Sequence, residues 1–149
     1  MSSPIRPYEA LHREPRGEGD ARPTALQIIQ DEDLINNMTG KVFLVTGTSS
    51  GIGVETARAL HATGANVFMH VKHAAEGDGV RKDILATSQG KGKLEILSMD
   101  LGSLKSVREG AAEFLKKNDT LNVLVNNAGK VTLWIIHYIS NILTSTRHP

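Results

Sequence analysis

The sequence predicts an α/β domain built on a doubly wound parallel sheet with strand order 3-2-1-4. Three observations carry that prediction. Short apolar runs recur at 41–46, 65–71, 94–99 and 121–126. Segments with helical spacing of apolar residues separate them. A glycine-rich turn stands where the first run gives way to the first of those segments. Regular alternation of apolar strands and helices places a parallel sheet between two helical layers.

Each element follows from its residues. Residues 1–23 hold four of the five prolines, with Gly17 and Gly19, and read as a flexible tail. Residues 24–39 follow as a short helical lead-in, with Leu26, Ile28, Ile29, Leu34 and Ile35 able to pack on the body. The run KVFLVT at 41–46 is nearly continuous in apolar residues, as suits a strand covered on both faces. Residues 52–63 read as a helix with Ile52, Thr56, Ala59, Leu60 and Thr63 at helical spacing, stopped by Gly64. ANVFMHV at 65–71 is a second strand. Residues 75–88 form a helix with Val80, Ile84 and Leu85 on one face, and LEILSM at 94–99 is a third strand. Ser103 can cap a helix at 103–117 whose stripe is Leu104, Val107, Ala111, Phe114 and Leu115. LNVLVN at 121–126 is a fourth strand. Right-handed crossovers then order the strands 3-2-1-4.

Composition excludes several classes. The chain has 149 residues, 22% charged, with a formal net charge of +1, so bulk charge points to neither nucleic acid nor a membrane surface as partner. The charge is uneven: residues 1–39 carry four arginines against seven carboxylates, which leaves the body mildly basic. There are no cysteines, hence no disulfide framework and no thiolate metal site. The first residues are polar and charged, without the apolar core of a secretory signal. Together these features fit a cytoplasmic protein. The apolar stretch at 131–143 contains His137, Tyr138 and Asn141 and is shorter than the roughly 20 residues a spanning helix needs, so no membrane span is expected.

The most informative segment is TGTSSGIG at 46–53. Gly47 permits a tight turn, Gly51 lets backbone approach a pyrophosphate, and Gly53 lets the helix pack near the strand. Free amides at the helix start, with the helix dipole, stabilise phosphate charge, and Ser49, Ser50 and Ile52 line the same turn. A glycine turn without a ligand is the alternative. The acidic residue that would select NAD belongs about 20 residues beyond the glycines. That place holds Lys72 among His70, Val71 and His73, and no carboxylate occurs before Glu76. A cation there favours a 2′-phosphate and hence NADP, although Lys lacks the bidentate fit of Arg. Lys72 and the histidines as a solvated loop is the other reading. His61 reads as a surface residue, and His70 and His73 resemble no metal site.

The spacing TGxxxGxG, rather than GxGxxG, resembles the short-chain dehydrogenase/reductase family. Two further motifs fall in register over 40–129: Asp100-Leu101 after the third strand, and Asn126-Asn127-Ala128-Gly129 at the end of the fourth. The segment SMDLGSLKSVREGAAEF resembles the retinol-dehydrogenase-like branch. The resemblance implies the N-terminal half of a Rossmann-type fold and an NADP cofactor. It implies that Asp100 and Leu101 contact the adenine ring, with Asp100 as a turn cap the alternative. It implies that Asn127, Ala128 and Gly129 border the cofactor, and that the asparagines also tie strands together. Catalysis in the family uses a Tyr, a Lys four residues later and an upstream Ser. Here Tyr8 is followed at that spacing by His12 and Tyr138 by Ile142, so no catalytic residue is carried over. The parent reaction is hydride transfer between the nicotinamide and a carbonyl or alcohol.

The resemblance ends after Gly129, and residues 130–149 read as a divergent tail. Gly129-Lys130 can be encoded by GGTAAG, a splice-donor sequence, so the tail is expected to be translated intron or a mispredicted exon end. Its segment VTLWIIHYI can pair onto a bare sheet edge or aggregate. The helix at 103–117 is the candidate contact with a second copy or a full-length relative. That makes a non-enzymatic interaction protein the alternative function, and a truncated product without function the third reading.

Overall fold

A computed structural model describes residues 7–129; the segment 130–149 lies outside the described residues. The element order is α1 (Ala25–Asp31), β1 (Val42–Thr46), α2 (Ile52–Ala62), β2 (Asn66–Val71), α3 (Ala74–Thr87), β3 (Leu94–Ser98), α4 (Leu104–Lys117) and β4 (Val123–Val125). A four-residue 3-10 helix at Glu9–His12 precedes them. The four strands form one parallel sheet in the order β3-β2-β1-β4.

All five residues of β1 are buried, as are five of the six in β2. These two strands are central, so each needs an apolar side chain on both faces. Their alternation divides the core in two. Phe43, Val45, Val67 and Met69 point to the layer that holds Ala57 of α2 and Ile84 of α3. Val42, Leu44 and Phe68 point to the opposite layer, with Leu97 and Phe114 of α4. Helices therefore cover both faces. The rings of Phe68 and Phe114 meet edge to face at 4.9 Å, the favoured arrangement for two aromatic quadrupoles.

Capping follows the sequence at two helices. Thr24 accepts the Gln27 N–H at the start of α1, and Ser103 accepts the Ser106 N–H at the start of α4. Helix α1 fills only the first half of the lead-in. Asp33 and Asn36 adopt positive φ (54° and 56°), which ends the helix and turns the chain along α2. There the Asn36 and Met38 amides donate to Ala62 O (3.1 Å) and Thr63 O (2.8 Å). Arg58 of α2 reaches across to Asp83 of α3 at 2.7 Å.

Three expectations need correction. His61 is buried, not a surface residue: Ser88 Oγ lies 2.8 Å from its Nδ1 and Gly92 O lies 2.9 Å from its Nε2. Helix α2 is enclosed by the sheet on one side and by the segment after α3 on another, so a second face is covered. The loop comes so close that a Cβ on Gly90 would stand 1.8 Å from His61 O. Ile52 belongs to no buried stripe; it is 80% exposed at the first turn of α2. In α4, only Gly110 and Phe114 are buried, while Leu104 and Leu115 are exposed. The apolar period there identifies a face that could be covered, but the described sheet lies under only part of it.

Candidate dinucleotide site

The site is built at the C-terminal ends of the parallel strands, where β1 separates neighbours reached by crossovers in opposite directions. In open α/β sheets such a switch point leaves a crevice. Strand β1 ends at Thr46, and residues 47–51 turn the chain into α2. Gly47 has φ +72°, and a Cβ on it would stand 2.7 Å from Ala128 Cα. A Cβ on Gly53 would stand 2.1 Å from Gly47 O and 2.6 Å from Asn127 Nδ2. Both glycines are therefore required by packing. Gly51 differs: its φ is +63°, and the space where a Cβ would project is open. Backbone there can be approached from outside.

The end of β4 is tied to this turn. Thr46 Oγ1 accepts the N–H groups of Asn127 (3.0 Å) and Ala128 (2.9 Å) and donates to Val125 O at 3.3 Å. The Asn127 side-chain amide donates to Thr46 O (2.9 Å) and Gly47 O (3.1 Å). Asn127 thus closes β4 onto the turn, the strand-tying role open to it in the sequence. Asn126, Ala128 and Gly129 are exposed.

Ser49, Ser50, Gly51 and Ile52 are exposed at the mouth of the turn. No side chain caps the start of α2, in contrast to α1 and α4. The first amides of a helix lack intrahelical partners, and the dipole gives that end partial positive charge. An uncapped start beside an open glycine suits a phosphate, so the residues present fit a dinucleotide.

At the ends of β2 and β3 the geometry is different. Lys72 Nζ lies 3.0 Å from Asp100 Oδ2, with both side chains about half exposed. The other Asp100 oxygen accepts the Gly102 N–H at 2.8 Å, so this carboxylate also caps its turn. Lys72, and then the Gly102 amide, hold the Asp100 carboxyl below the ordinary aspartate range. Leu101 is exposed beside it. The structure therefore joins Gly47, Gly53, Asn127 and Ala128 in one packed unit and Lys72 with Asp100 in another.

Sequence reasoning missed the residue that connects the two. His70 is buried at the end of β2. Its Nδ1 lies 3.1 Å from the Gly47 amide nitrogen and its Nε2 3.0 Å from Met99 O. Its carbonyl accepts both the N–H and the hydroxyl of Thr48, each at 3.0 Å. The signal was present: an ionisable residue inside the apolar run VFMHV of a central strand must have partners. Among the described residues, no group of three or more His, Asp or Glu side chains could hold a metal ion, and no helix is long and apolar enough to cross a membrane.

Known proteins resemble this chain in sequence and in fold. The prx1 short-chain dehydrogenase/reductase of Penicillium roqueforti is 52% identical over 122 residues, which is 82% of this chain and 35% of that protein. The oxidoreductase calI of Penicillium decumbens is 47% identical over 127 residues, 83% of this chain and 37% of that one. The chain thus spans little more than a third of the length of these relatives. A metagenomic short-chain oxidoreductase solved in complex with NADP superposes with a TM-score of 0.58 at 33% identity, covering 63% of this chain and 41% of that one. The family described as short chain dehydrogenase matches residues 41–141, past Gly129 where the recognisable motifs stop. With more than half of its length matched, the chain belongs to the short chain dehydrogenase family.

Proposed function

We propose that this chain binds NADP and supplies the cofactor half of a short-chain dehydrogenase/reductase. The observation that carries the reading is the pairing of an open, uncapped α2 start with Lys72 at the end of β2. The first suits a pyrophosphate and the second a 2′-phosphate. Gly51 and the neighbouring amides of Ser49, Ser50 and Ile52 would hold the pyrophosphate. Lys72 would take the 2′-phosphate, and Asp100 with Leu101 would border the adenine. Asn127, Ala128 and Gly129 would border the path toward the nicotinamide.

When bound, the nicotinamide supplies hydride chemistry toward a carbonyl or alcohol. The residues of this chain bind and orient. Neither Tyr8 nor Tyr138 has a lysine four residues later, so no residue here is assigned the proton transfer. The relative solved with NADP supports the choice of cofactor. The exposed Leu104 and Leu115 of α4 support a second reading, in which the chain contacts a full-length relative through that helix.

Titration of the purified chain with NADPH and NADH, followed by nucleotide fluorescence and thermal shift, tests the first reading. Saturable binding that prefers NADPH and weakens in Lys72→Glu supports it. A cooperatively melting chain that binds neither nucleotide refutes it.

A further inference from the structure

His70 is a buried imidazole with a donor on one side and an acceptor on the other. The Gly47 amide can only donate, so the Nδ1 facing it at 3.1 Å must carry a lone pair. The Met99 carbonyl can only accept, so the Nε2 facing it at 3.0 Å must carry the proton. The two bonds together fix the neutral Nε2–H tautomer. They also bridge, through one side chain, two loops that the backbone ties to β2 only separately, by Thr48 N–H to His70 O and Met99 N–H to Val71 O. Gly47 opens the phosphate turn after β1. Met99 immediately precedes Asp100, whose carboxylate pairs with Lys72, and Lys72 lies two residues beyond His70 on the same chain. The circuit His70–Met99–Asp100–Lys72 therefore closes on itself, and Gly47 is held to it through His70.

From this geometry we infer that His70 is a positioning residue for the dinucleotide. Its ring sets the distance between the turn that meets the pyrophosphate and the turn that meets the adenosine end. This rests on the dinucleotide reading above. A rigid ring suits the task, since two ring nitrogens on opposite bonds cannot shift independently as an aliphatic side chain would. The carbonyl of the same residue, holding Thr48 by two bonds, fixes the next residue of the phosphate turn as well.

The test separates the two nitrogens. In His70→Asn the side-chain oxygen stands where Nδ1 stood and can still accept the Gly47 amide. In His70→Gln the terminal amide stands where Nε2 stood and can still donate to Met99. The full chain, these variants and His70→Ala are titrated with NADPH by fluorescence, and their melting temperatures are recorded. Long-range nitrogen–proton NMR reads the tautomer of His70, and amide exchange reads Gly47. The expected result is an Nε2–H tautomer and a protected Gly47 amide. Loss of both bonds in His70→Ala weakens NADPH about ten-fold. His70→Asn recovers most of that affinity and keeps the Gly47 amide protected, while His70→Gln leaves it exchanging freely. Wild-type affinity in His70→Ala overturns the proposal. So does an Nδ1–H tautomer, and so do affinity losses in all three variants that only follow their melting temperatures. If the unaltered chain binds neither NADPH nor NADH, the dinucleotide reading fails. The tautomer and the contrast in Gly47 exchange between the Asn and Gln variants then still decide whether the ring holds the turn.

Discussion

Lys72 Nζ sits 3.0 Å from Asp100 Oδ2, joining the end of β2 to the turn that follows β3. The cation that the sequence assigns to a 2′-phosphate is thus already held by the carboxylate assigned to the adenine side. A nucleotide phosphate arriving here would share Lys72 with Asp100 or displace it. Replacing Lys72 with Glu sets two carboxylates against each other and against the phosphate. NADPH affinity is expected to fall at least about ten-fold, with NADH changed less. Parallel titrations of both nucleotides check this, and equal losses for the two would contradict it.

The same pair predicts a pH effect with a definite sign. Lys72 holds the Asp100 carboxyl below its ordinary value. A depressed carboxyl contributes stability that is complete above the ordinary aspartate range and is lost as pH falls through the lowered value. The pair therefore persists into acid where a free aspartate is already half protonated. Carboxyl-carbon NMR of Asp100 checks this: its titration is expected to move upward in Lys72→Ala.

The glycines of the turn should separate by phenotype. In Gly53→Ala the new methyl meets Gly47 O and Asn127, so α2 must shift, at a cost of about 1–3 kcal/mol. Gly51→Ala meets no atom, and the cost there is backbone strain at positive φ, about 1–3 kcal/mol. Only in the second does the methyl project into the space a phosphate would use. Urea denaturation should therefore rank the two as similar, while NADPH titration finds binding abolished in Gly51→Ala beyond what its stability loss explains.

Phe114 is the one large side chain that α4 buries among the described residues. Removing its ring in Phe114→Ala leaves a cavity against Phe68 and should cost about 3–5 kcal/mol. Leu115→Ala, on an exposed site, should cost little. Denaturant midpoints compare the two, and equal losses would show that α4 is covered on the face that this structure leaves open.

His61→Ala tests the buried reading of a residue whose sequence position suggests the surface. It takes the imidazole partner from Gly92 O and from Ser88 Oγ, which keeps the Gly90 N–H, and about 2–4 kcal/mol of stability is expected to go with the cavity. A thermal midpoint unchanged from wild type would restore the surface assignment.

Much of this fold was legible in the residues themselves. Continuous apolar runs located the four strands, and Ser103 located the start of α4. The glycine spacing located the tight turn between β1 and α2, because these signals are local. Where a second element decides the outcome, the sequence spoke less clearly. His61 looked solvated because nothing in 52–63 announces that the loop after α3 returns to cover it. Ile52 looked like core because apolar character is only weakly tied to burial at a helix's first turn. The stripe of α4 was read correctly as apolar, yet Leu104 and Leu115 stay exposed since burial needs a neighbour as well as a pattern. His70 was visible as an anomaly in VFMHV, but its partners lie on two other loops.

The bonds from Asn127 to Thr46 span 81 residues of chain. Between them lie three helices and three strands, which must be brought together before these bonds can form. Contacts of such sequence separation are entropically slow to close. The glycine turn, although encoded near the start of the domain, therefore reaches its final shape only when β4 docks beside β1. During refolding, β1, β2 and their helices can assemble early, while competence to hold a nucleotide arrives as a late kinetic phase, timed by the last strand of the sheet.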